Sequence, residues 1–203
     1  MDRSENWFLY TKKSEKENKY KIICGVDEAG RGPLAGPVFS AAVVLSDDIF
    51  IEGINDSKKL SEKKREIIYN EIIAKAKSYS ISFCTEKEID KINILNATLL
   101  SMKKSIENLK LKPDLALIDG DKIPQNLKIE SKSIIKGDSI INSIAAASIL
   151  AKVSRDRFMK KISYKYPQYE FEKHKGYGTK LHIELIKRYG YCEIHRKSFL
   201  AKI

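Results

Sequence analysis

The chain has 203 residues, of which 42% are hydrophobic, and it carries a formal net charge of +11 with a pI near 9.4. This length and composition predict one globular domain, or one domain with an appendage, that has a core of its own. Its three cysteines, Cys24, Cys84 and Cys192, have no ligand-spaced partners. Their odd number and wide spacing argue against disulfides or a structural zinc and favour a reducing compartment. No apolar run approaches the roughly 18 residues that cross a bilayer, so we expect a cytoplasmic protein with no membrane contact.

The positive charge is concentrated at the C-terminal end. Residues 152–203 contain 14 Lys and Arg against 5 Asp and Glu, which accounts for nine of the eleven net charges. Tyrosines are interleaved with these cations: Tyr164, Tyr166, Tyr169, Tyr177, Tyr189 and Tyr191. Such a mixture binds a phosphate backbone and stacks on sugars or bases. The distribution indicates a nucleic-acid partner, although a lysine-rich surface also arises for solubility alone.

In chain order, residues 1–19 are predicted to form a polar N-terminal extension, either loosely held or a short added helix, and no repeat or linker marks a firm boundary after them. Strand-like patterns predict strands at 20–27, 37–45, 78–85 and 114–119. Helical periodicity predicts helices at 61–77, 93–110, 138–161 and 179–189. Ser61 is a candidate N-cap for the first helix, and Asn93 or Asn96 for the second. Strands followed by alternating helix and strand imply a mixed sheet flanked by helices.

The segment 23–37 combines two kinds of chemistry. An apolar run ends in Asp27 and Glu28 and then turns through a glycine-flanked Arg31. Hard divalent cations bind carboxylate oxygens, and a glycine-rich loop lets backbone N–H groups approach a phosphodiester. Successive side chains of a strand point to opposite faces, so the two acids converge only if the bend after them brings them together. Alternatively, one acid is a ligand and the other is a surface charge.

A third candidate acid is Asp119, which ends the predicted strand 114–119 and is followed by a glycine. An acid at the end of a strand is well placed for a site at the edge of a sheet. Asp121 has the same parity and is its local rival. An Asp-Gly pair is also common in plain turns, so the residues alone leave both interpretations open.

A fourth candidate is Asp138, at the start of the predicted helix 138–161. Its plain interpretation is a helix N-cap, a role that aspartate fills well. Asp156 lies on the same face of that helix, five turns further on. At a rise of 1.5 Å per residue it is about 27 Å away, so only one of the two acids can join the other candidates.

Five blocks, taken in order, resemble the type 2 ribonuclease H family, also called bacterial ribonuclease HII. The blocks are GVDEAGRGPLAGP at 25–37, DSKKLS at 56–61, LIDG at 117–120, KGD at 136–138 leading into AAASILAKV at 145–153, and HKGYGT at 174–179. The likeness spans roughly residues 20–190. It implies an α/β fold with an RNase H-like mixed five-stranded sheet flanked by helices in residues 20–160. A helical C-terminal substrate-binding extension is implied at 161–203.

The resemblance also implies roles for individual residues. Catalysis and metal binding fall to four acids: Asp27, Glu28, Asp119 and Asp138. An oxygen-lined site without histidine suits Mg²⁺ or Mn²⁺, and two such ions can activate a water and stabilise a leaving 3′ oxygen. Substrate contacts fall to Gly30, Arg31, Gly32, Ser57, Lys58 and Tyr177, with Lys152 and His174 as further candidates.

The implied activity is hydrolysis of the phosphodiester 5′ of a ribonucleotide. The substrates would be RNA–DNA hybrids and single ribonucleotides embedded in duplex DNA, as in ribonucleotide excision repair, and the products a 3′-hydroxyl and a 5′-phosphate. Backbone groups of residues 30–32 would read the 2′-hydroxyl, and Tyr177 would pack on the next sugar. Ser57 and Lys58 would contact phosphate. We expect a monomer, and the apolar C-terminal segment 197–203 is a candidate for contact with a replication clamp.

Three other interpretations remain to be tested. A basic nucleic-acid-binding module would use the acids only as caps and surface charges, and it would bind without cleaving. A type 3 ribonuclease H carries a sizeable N-terminal substrate-binding domain, whereas only about 20 residues precede the first predicted strand here. A divalent-metal DNA nuclease or recombinase of the same fold would not depend on a 2′-hydroxyl.

Overall fold

The computed structural model describes residues 20–46, 49, 51–54 and 60–200. The predicted N-terminal extension, the predicted phosphate contacts Ser57 and Lys58, and residues 201–203 of the candidate clamp segment lie outside these residues. Within the described part, no helix combines the length and the apolar character that crossing a membrane requires.

Five strands form one sheet in the order β3-β2-β1-β4-β5. The strands are β1 (Ile23–Ala29), β2 (Val38–Val44), β3 (Ser78–Cys84), β4 (Leu115–Asp119) and β5 (Glu130–Ile134). The pairs β1–β2 and β2–β3 are antiparallel, whereas β1–β4 and β4–β5 are parallel. The mixed five-stranded sheet is therefore confirmed. Its four predicted strands are all present, and β5 is the strand that the patterns did not locate.

Six helices accompany the sheet in the described residues. They are α1 (Glu62–Lys75), α2 (Glu86–Glu107), α3 (Asn142–Lys165), α4 (Phe171–His174), α5 (Lys180–Tyr189) and α6 (Lys197–Leu200). Ser61 caps α1 as predicted, because its hydroxyl accepts a hydrogen bond from the Lys64 amide at 3.3 Å. The helices of the C-terminal part confirm the expected helical extension. The predicted division at residue 160 falls inside α3, and it stays a prediction.

The helix α2 begins earlier than predicted. Thr85 and Glu88 form a capping box that starts it at Glu86 rather than at residue 93. Asn93 then interrupts the helix with a φ of 65°. Its side chain accepts a hydrogen bond from the Asn96 amide at 3.0 Å, so it restarts the helix in the manner of an N-cap.

The two faces of the sheet are covered by different helices. Cys24 and Val26 of β1 pack with Met102 and Ile106 of α2. The intervening Gly25 faces α3, where a Cβ atom would lie 2.2 Å from the α3 backbone. The backbone of α3 therefore rests directly on β1, and the ends of α3 and β1 are fixed relative to each other.

The turn before α3 corrects one expectation. Asp138 lies in a short 3-10 turn (Gly137–Ser139), and α3 begins only at Asn142 with Ile141 as its N-cap. Asp138 is thus not the N-cap of this helix. Its side chain is buried, at 8% exposure.

Candidate active site

Two parallel strands bring predicted acids together. Val26 of β1 lies opposite Ile118 of β4, so the next residues along each strand, Asp27 and Asp119, are neighbours at the same end of the sheet. Asp27 is buried, at 5% exposure. The pairing of β1 with β4 thus places these two carboxylates side by side, near the C-terminal ends of two inner strands. The position of Asp119 at the end of a strand predicted such a location.

The Asp119 carboxylate also ties this edge to the turn that carries Asp138. Its Oδ1 accepts hydrogen bonds from the Gly137 amide at 2.7 Å and from the Asp138 amide at 3.4 Å. The rival Asp121 has a 72% exposed side chain and pairs with Lys122. Asp119 is therefore partly buried and hydrogen-bonded to this turn, whereas Asp121 is a surface residue.

Asp27 and Glu28 lie on an unbroken strand. β1 continues through both residues to Ala29, with Glu28 opposite Ser40 of β2. Alternation turns Asp27 to the same face as Gly25, toward α3, where the side chain of Ser148 lowers the pKa of Asp27 against the larger effect of burial. Glu28 lies at the end of the sheet, where two clefts meet. One cleft also contains Arg31 and Asp119, and the other contains Tyr177 and the loop after β1.

The electrostatics of these acids are unfavourable without a cation. Burial, together with the charges of Glu28 and Asp119, raises the pKa of Asp27 well above its ordinary value. Burial also raises the pKa of Glu28, against the opposing charge of Arg31, whose Nη1 lies 3.5 Å from Glu28 Oε1. A divalent cation would relieve this desolvation and repulsion.

The acids fit a hard divalent cation by their donor chemistry. All four are carboxylates, the ligands that Mg²⁺ and Mn²⁺ prefer. Across residues 20–46, 49, 51–54 and 60–200, no three His, Cys, Asp or Glu side chains are already gathered around one point as ligands. Sharing an ion therefore requires these side chains to rotate toward one another from their fixed backbone positions.

The loop after β1 and Tyr177 form one wall of the second cleft. Gly30 has a φ of +100°, in the left-handed region that favours glycine, and a Cβ at Gly32 would lie 3.8 Å from Tyr177 Cε1. Tyr177 is 43% exposed, so its ring is open to a ligand. The structure therefore brings these predicted substrate contacts beside Glu28.

The same cleft contains residues that the sequence reasoning did not assign to a site. These are Arg65 and Ser148, which line it together with Lys152, a further candidate for substrate contact from the sequence. Ser148 and Lys152 are four residues apart on α3, a spacing that places both on one face and that a sequence reader can recognise. His174, by contrast, is buried, with its ring hydrogen-bonded to the Tyr169 carbonyl and the Gly176 amide.

Solved structures with the same architecture are ribonucleases H. The ribonuclease H2 of Pyrococcus horikoshii superimposes with a TM-score of 0.73 at 29% identity, covering 88% of this chain and 93% of that one. The ribonuclease HII of Archaeoglobus fulgidus, solved in complex with PCNA, gives 0.72 at 26% identity, covering 87% and 94%. A Bst ribonuclease HIII in complex with Mn²⁺ shares the fold at 17% identity, with a TM-score of 0.62, covering 83% and 63%. The fold and the acids near the ends of β1 and β4 define the class: an enzyme of the ribonuclease H type.

Sequence comparison narrows the class to one family. The family model described as Ribonuclease HII matches residues 24–202. Ribonuclease HII of Caldicellulosiruptor bescii is 59% identical over 203 residues, covering 100% of this chain and 98% of that protein. Ribonuclease HII of Idiomarina loihiensis is 56% identical over 178 residues, covering 88% and 95%. The chain belongs to the ribonuclease HII family, and it is a hydrolase, a type 2 ribonuclease H. The resemblance carried by the five sequence blocks is confirmed.

Proposed function

We propose that this protein hydrolyses the phosphodiester bond on the 5′ side of a ribonucleotide, in RNA–DNA hybrids and at single ribonucleotides embedded in duplex DNA. The position of Glu28 supports this activity. It lines the cleft that contains Asp119 and also the cleft that contains Tyr177 and Gly30. The carboxylates proposed for hydrolysis and the groups proposed for recognising the sugar therefore lie on either side of Glu28. This arrangement supports cleavage next to the recognised ribonucleotide.

Four acids would hold the catalytic cations, Mg²⁺ or Mn²⁺: Asp27, Glu28, Asp119 and Asp138. Two such ions supply activation of a water and neutralisation of charge on the leaving 3′ oxygen. In the reaction the water oxygen bonds to phosphorus, the bond from phosphorus to O3′ breaks, and O3′ takes up a proton. The products carry a 3′-hydroxyl and a 5′-phosphate.

Recognition of the ribonucleotide would come from the loop after β1. We assign the reading of the 2′-hydroxyl to the backbone of Gly30, Arg31 and Gly32, because this hydroxyl alone distinguishes a ribonucleotide from its neighbours in DNA. Tyr177, packed beside Gly32, would lie on the sugar of the following deoxynucleotide. Ser57 and Lys58 remain proposed phosphate contacts.

We also propose the compartment, the oligomeric state and a protein partner of the enzyme. Cys24, Cys84 and Cys192 are free thiols, which fits a reducing compartment such as the cytoplasm, and we expect a monomer active in ribonucleotide excision repair. The Archaeoglobus fulgidus relative was solved with PCNA, and a clamp contact here is proposed at 197–203. Because the Lys197 and Ser198 amides donate to Asp90, such a contact has to use residues 201–203 or displace α6.

The test is cleavage of a labelled DNA duplex that contains one ribonucleotide, beside an all-DNA duplex of the same sequence. Each is incubated with Mg²⁺, with Mn²⁺ and with chelator. We expect one metal-dependent cut, 5′ of the ribonucleotide, and none in the all-DNA control. Tight duplex binding without cleavage would instead identify a binding module, and cleavage of both duplexes a general nuclease.

A further inference from the structure

Two buried arginines lie beneath the loop after β1, residues 30–37, here called the recognition loop. Arg155 of α3 is 1% exposed and Arg196, just before α6, is 0% exposed. In the described part of the chain, neither guanidinium forms an ion pair with a carboxylate. Burial lowers the pKa of both groups, and for Arg196 the charge of Arg155 adds to this effect. Two buried positive charges without a carboxylate are costly unless their N–H groups are fully used.

Arg196 uses its guanidinium entirely on the recognition loop. Nη2 donates to the Gly30 carbonyl at 2.6 Å, Nη1 to the Arg31 carbonyl at 2.9 Å, and Nε to the Gly36 carbonyl at 2.8 Å. The planar guanidinium of Arg196 thus holds the recognition loop at both of its ends. A lysine has one ammonium nitrogen and cannot reproduce this spacing.

Arg155 joins the recognition loop to the turn that carries Tyr177. Nη2 donates to the Ala35 carbonyl at 3.0 Å and Nε to the Pro37 carbonyl at 3.1 Å. Its third contact, from Nη1, is to the Lys175 carbonyl at 2.9 Å. The loop and the Tyr177 turn are therefore held by the same side chain.

Backbone hydrogen bonds near these arginines also connect the recognition loop to the Tyr177 turn and to the segment before α6. The Leu34 amide donates to the Gly176 carbonyl, and the Arg196 amide donates to the Leu34 carbonyl, each at 2.8 Å. A Cβ at Gly30 would lie 2.1 Å from Arg155 Nε. The loop therefore rests directly on the arginines, with little room to shift.

These hydrogen bonds use carbonyl groups of the recognition loop and leave two of its backbone N–H groups available to a ligand. Arg196 occupies the carbonyls of Gly30 and Arg31, whereas the amides of Arg31 and Gly32 donate to no backbone carbonyl within the described residues. A fixed peptide with its carbonyl held inward presents its N–H outward. The geometry points to Arg196, supported by Arg155, as a positioning residue for ribonucleotide recognition: it holds the recognition loop so that its amides face the sugar. This inference rests on the proposed function.

The variants that test it are Arg196→Gln and Arg196→Lys, each in an Asp119→Asn background that binds without turnover. The dissociation constants of a one-ribonucleotide duplex and of an all-DNA duplex are measured by fluorescence anisotropy with Mn²⁺. The parent should prefer the ribonucleotide duplex. Both variants should reduce that preference by about tenfold or more while changing the all-DNA constant by less than about twofold, because that constant depends on phosphate charge.

The matched control is Arg157→Gln on the same helix, since Arg157 is partly exposed and bonds to Glu66 rather than to the loop. It should keep the parent preference. Circular dichroism checks folding, and if the glutamine variant does not fold, the lysine variant decides. An unchanged preference in folded Arg196 variants, or an equal loss on both duplexes, would overturn the inference, as would a parent without preference. Loss of the proposed function is recognised separately, by absence of cleavage in the wild-type enzyme.

Discussion

Asp119 links the C-terminal end of β4 to the turn that holds Asp138, because its carboxylate accepts hydrogen bonds from the Gly137 and Asp138 amides. Asp119→Asn keeps the size of the side chain and an acceptor oxygen but removes its charge. Because stabilisation of transition-state charge by a bound cation is worth several kcal/mol, we expect the cleavage rate to fall by more than about a hundredfold. Single-turnover cleavage of the one-ribonucleotide duplex measures this, and circular dichroism should remain unchanged. Retained activity in this variant would remove Asp119 from the site.

The raised pKa of Asp27 makes stability depend on pH in a definite direction. Without metal, the folded chain holds a proton on Asp27 that the unfolded chain releases, so the free energy of unfolding falls as pH rises from the ordinary carboxyl pKa to the raised one. Asp27→Asn removes this effect. In chelator the variant should therefore be more stable than wild type at pH 7.5, with a smaller difference at pH 4.5.

Urea unfolding at the two pH values, with chelator present, checks the prediction for Asp27. Adding Mn²⁺ should then stabilise the wild type more than Asp27→Asn, because a ligand that binds only the folded state raises its stability. A variant that is less stable than wild type at both pH values would show that the Asp27 charge is not destabilising.

Tyr177 lies beside Gly32 with an exposed ring, where packing on a sugar or base is worth about 1–3 kcal/mol. Tyr177→Ala should therefore lower kcat/KM on the one-ribonucleotide duplex by about tenfold to a hundredfold, whereas Tyr177→Phe, which keeps the ring, should lose little. Tyr164→Ala is the control, since Tyr164 is an exposed tyrosine further along α3. If Tyr177→Ala keeps its preference for the ribonucleotide junction, the assigned role is wrong.

At the scale of elements, the site depends on how closely α3 packs on β1. A methyl group at Gly25 would meet the backbone of Ser143 and Ile144 at 2.2 Å, so Gly25→Ala should push α3 away from the strand. We expect destabilisation of about 1–3 kcal/mol, as for other overpacked cores. Urea unfolding measures it, with Gly32→Ala as control because a methyl there meets only Tyr177 at 3.8 Å. Equal stability of both variants would contradict this close packing.

The helices and strands that sequence patterns located were those with clear periodicity or caps. α1 and α5 follow their predictions within two residues at each end. β5 reads Glu-Ser-Lys-Ser-Ile, has no buried residue and is an edge strand of the sheet, so no apolar alternation marks it, and pairing with β4 alone makes it a strand. The early start of α2 was available in the sequence as Thr85 and Glu88, a capping box that the helical periodicity did not include.

The acids and the glycine-rich loop could be predicted because strand ends and glycines are recognisable from local sequence patterns. The buried arginines could not. Arg155 and Arg196 belong to the basic C-terminal segment, which suggested contact with nucleic acid, and arginine is seldom fully buried. Their hydrogen bonds to carbonyls far away in the chain depend on tertiary packing, which no local pattern encodes.

For the whole molecule, the charge of +11 predicts strongly salt-dependent duplex binding. Lys187 and Arg188 are exposed on α5, and replacing both with glutamine should reduce the slope of log K against log salt by up to about two. The control pair is Lys110→Gln with Lys112→Gln, which lies before β4 at the end away from Asp119. Equal slopes for the two double variants, measured by anisotropy titration, would show that the C-terminal charge does not bind the duplex.

Hydrolysis by water on the 5′ side of the ribonucleotide determines the chemical nature of the two new ends. The upstream and downstream fragments of a one-ribonucleotide duplex are separated after cleavage, and their masses are determined. We expect an upstream 3′-hydroxyl and a downstream fragment that begins with a 5′-phosphorylated ribonucleotide. A 2′,3′-cyclic phosphate, with the cut on the 3′ side, would show attack by the 2′-hydroxyl itself and would contradict the assigned mechanism.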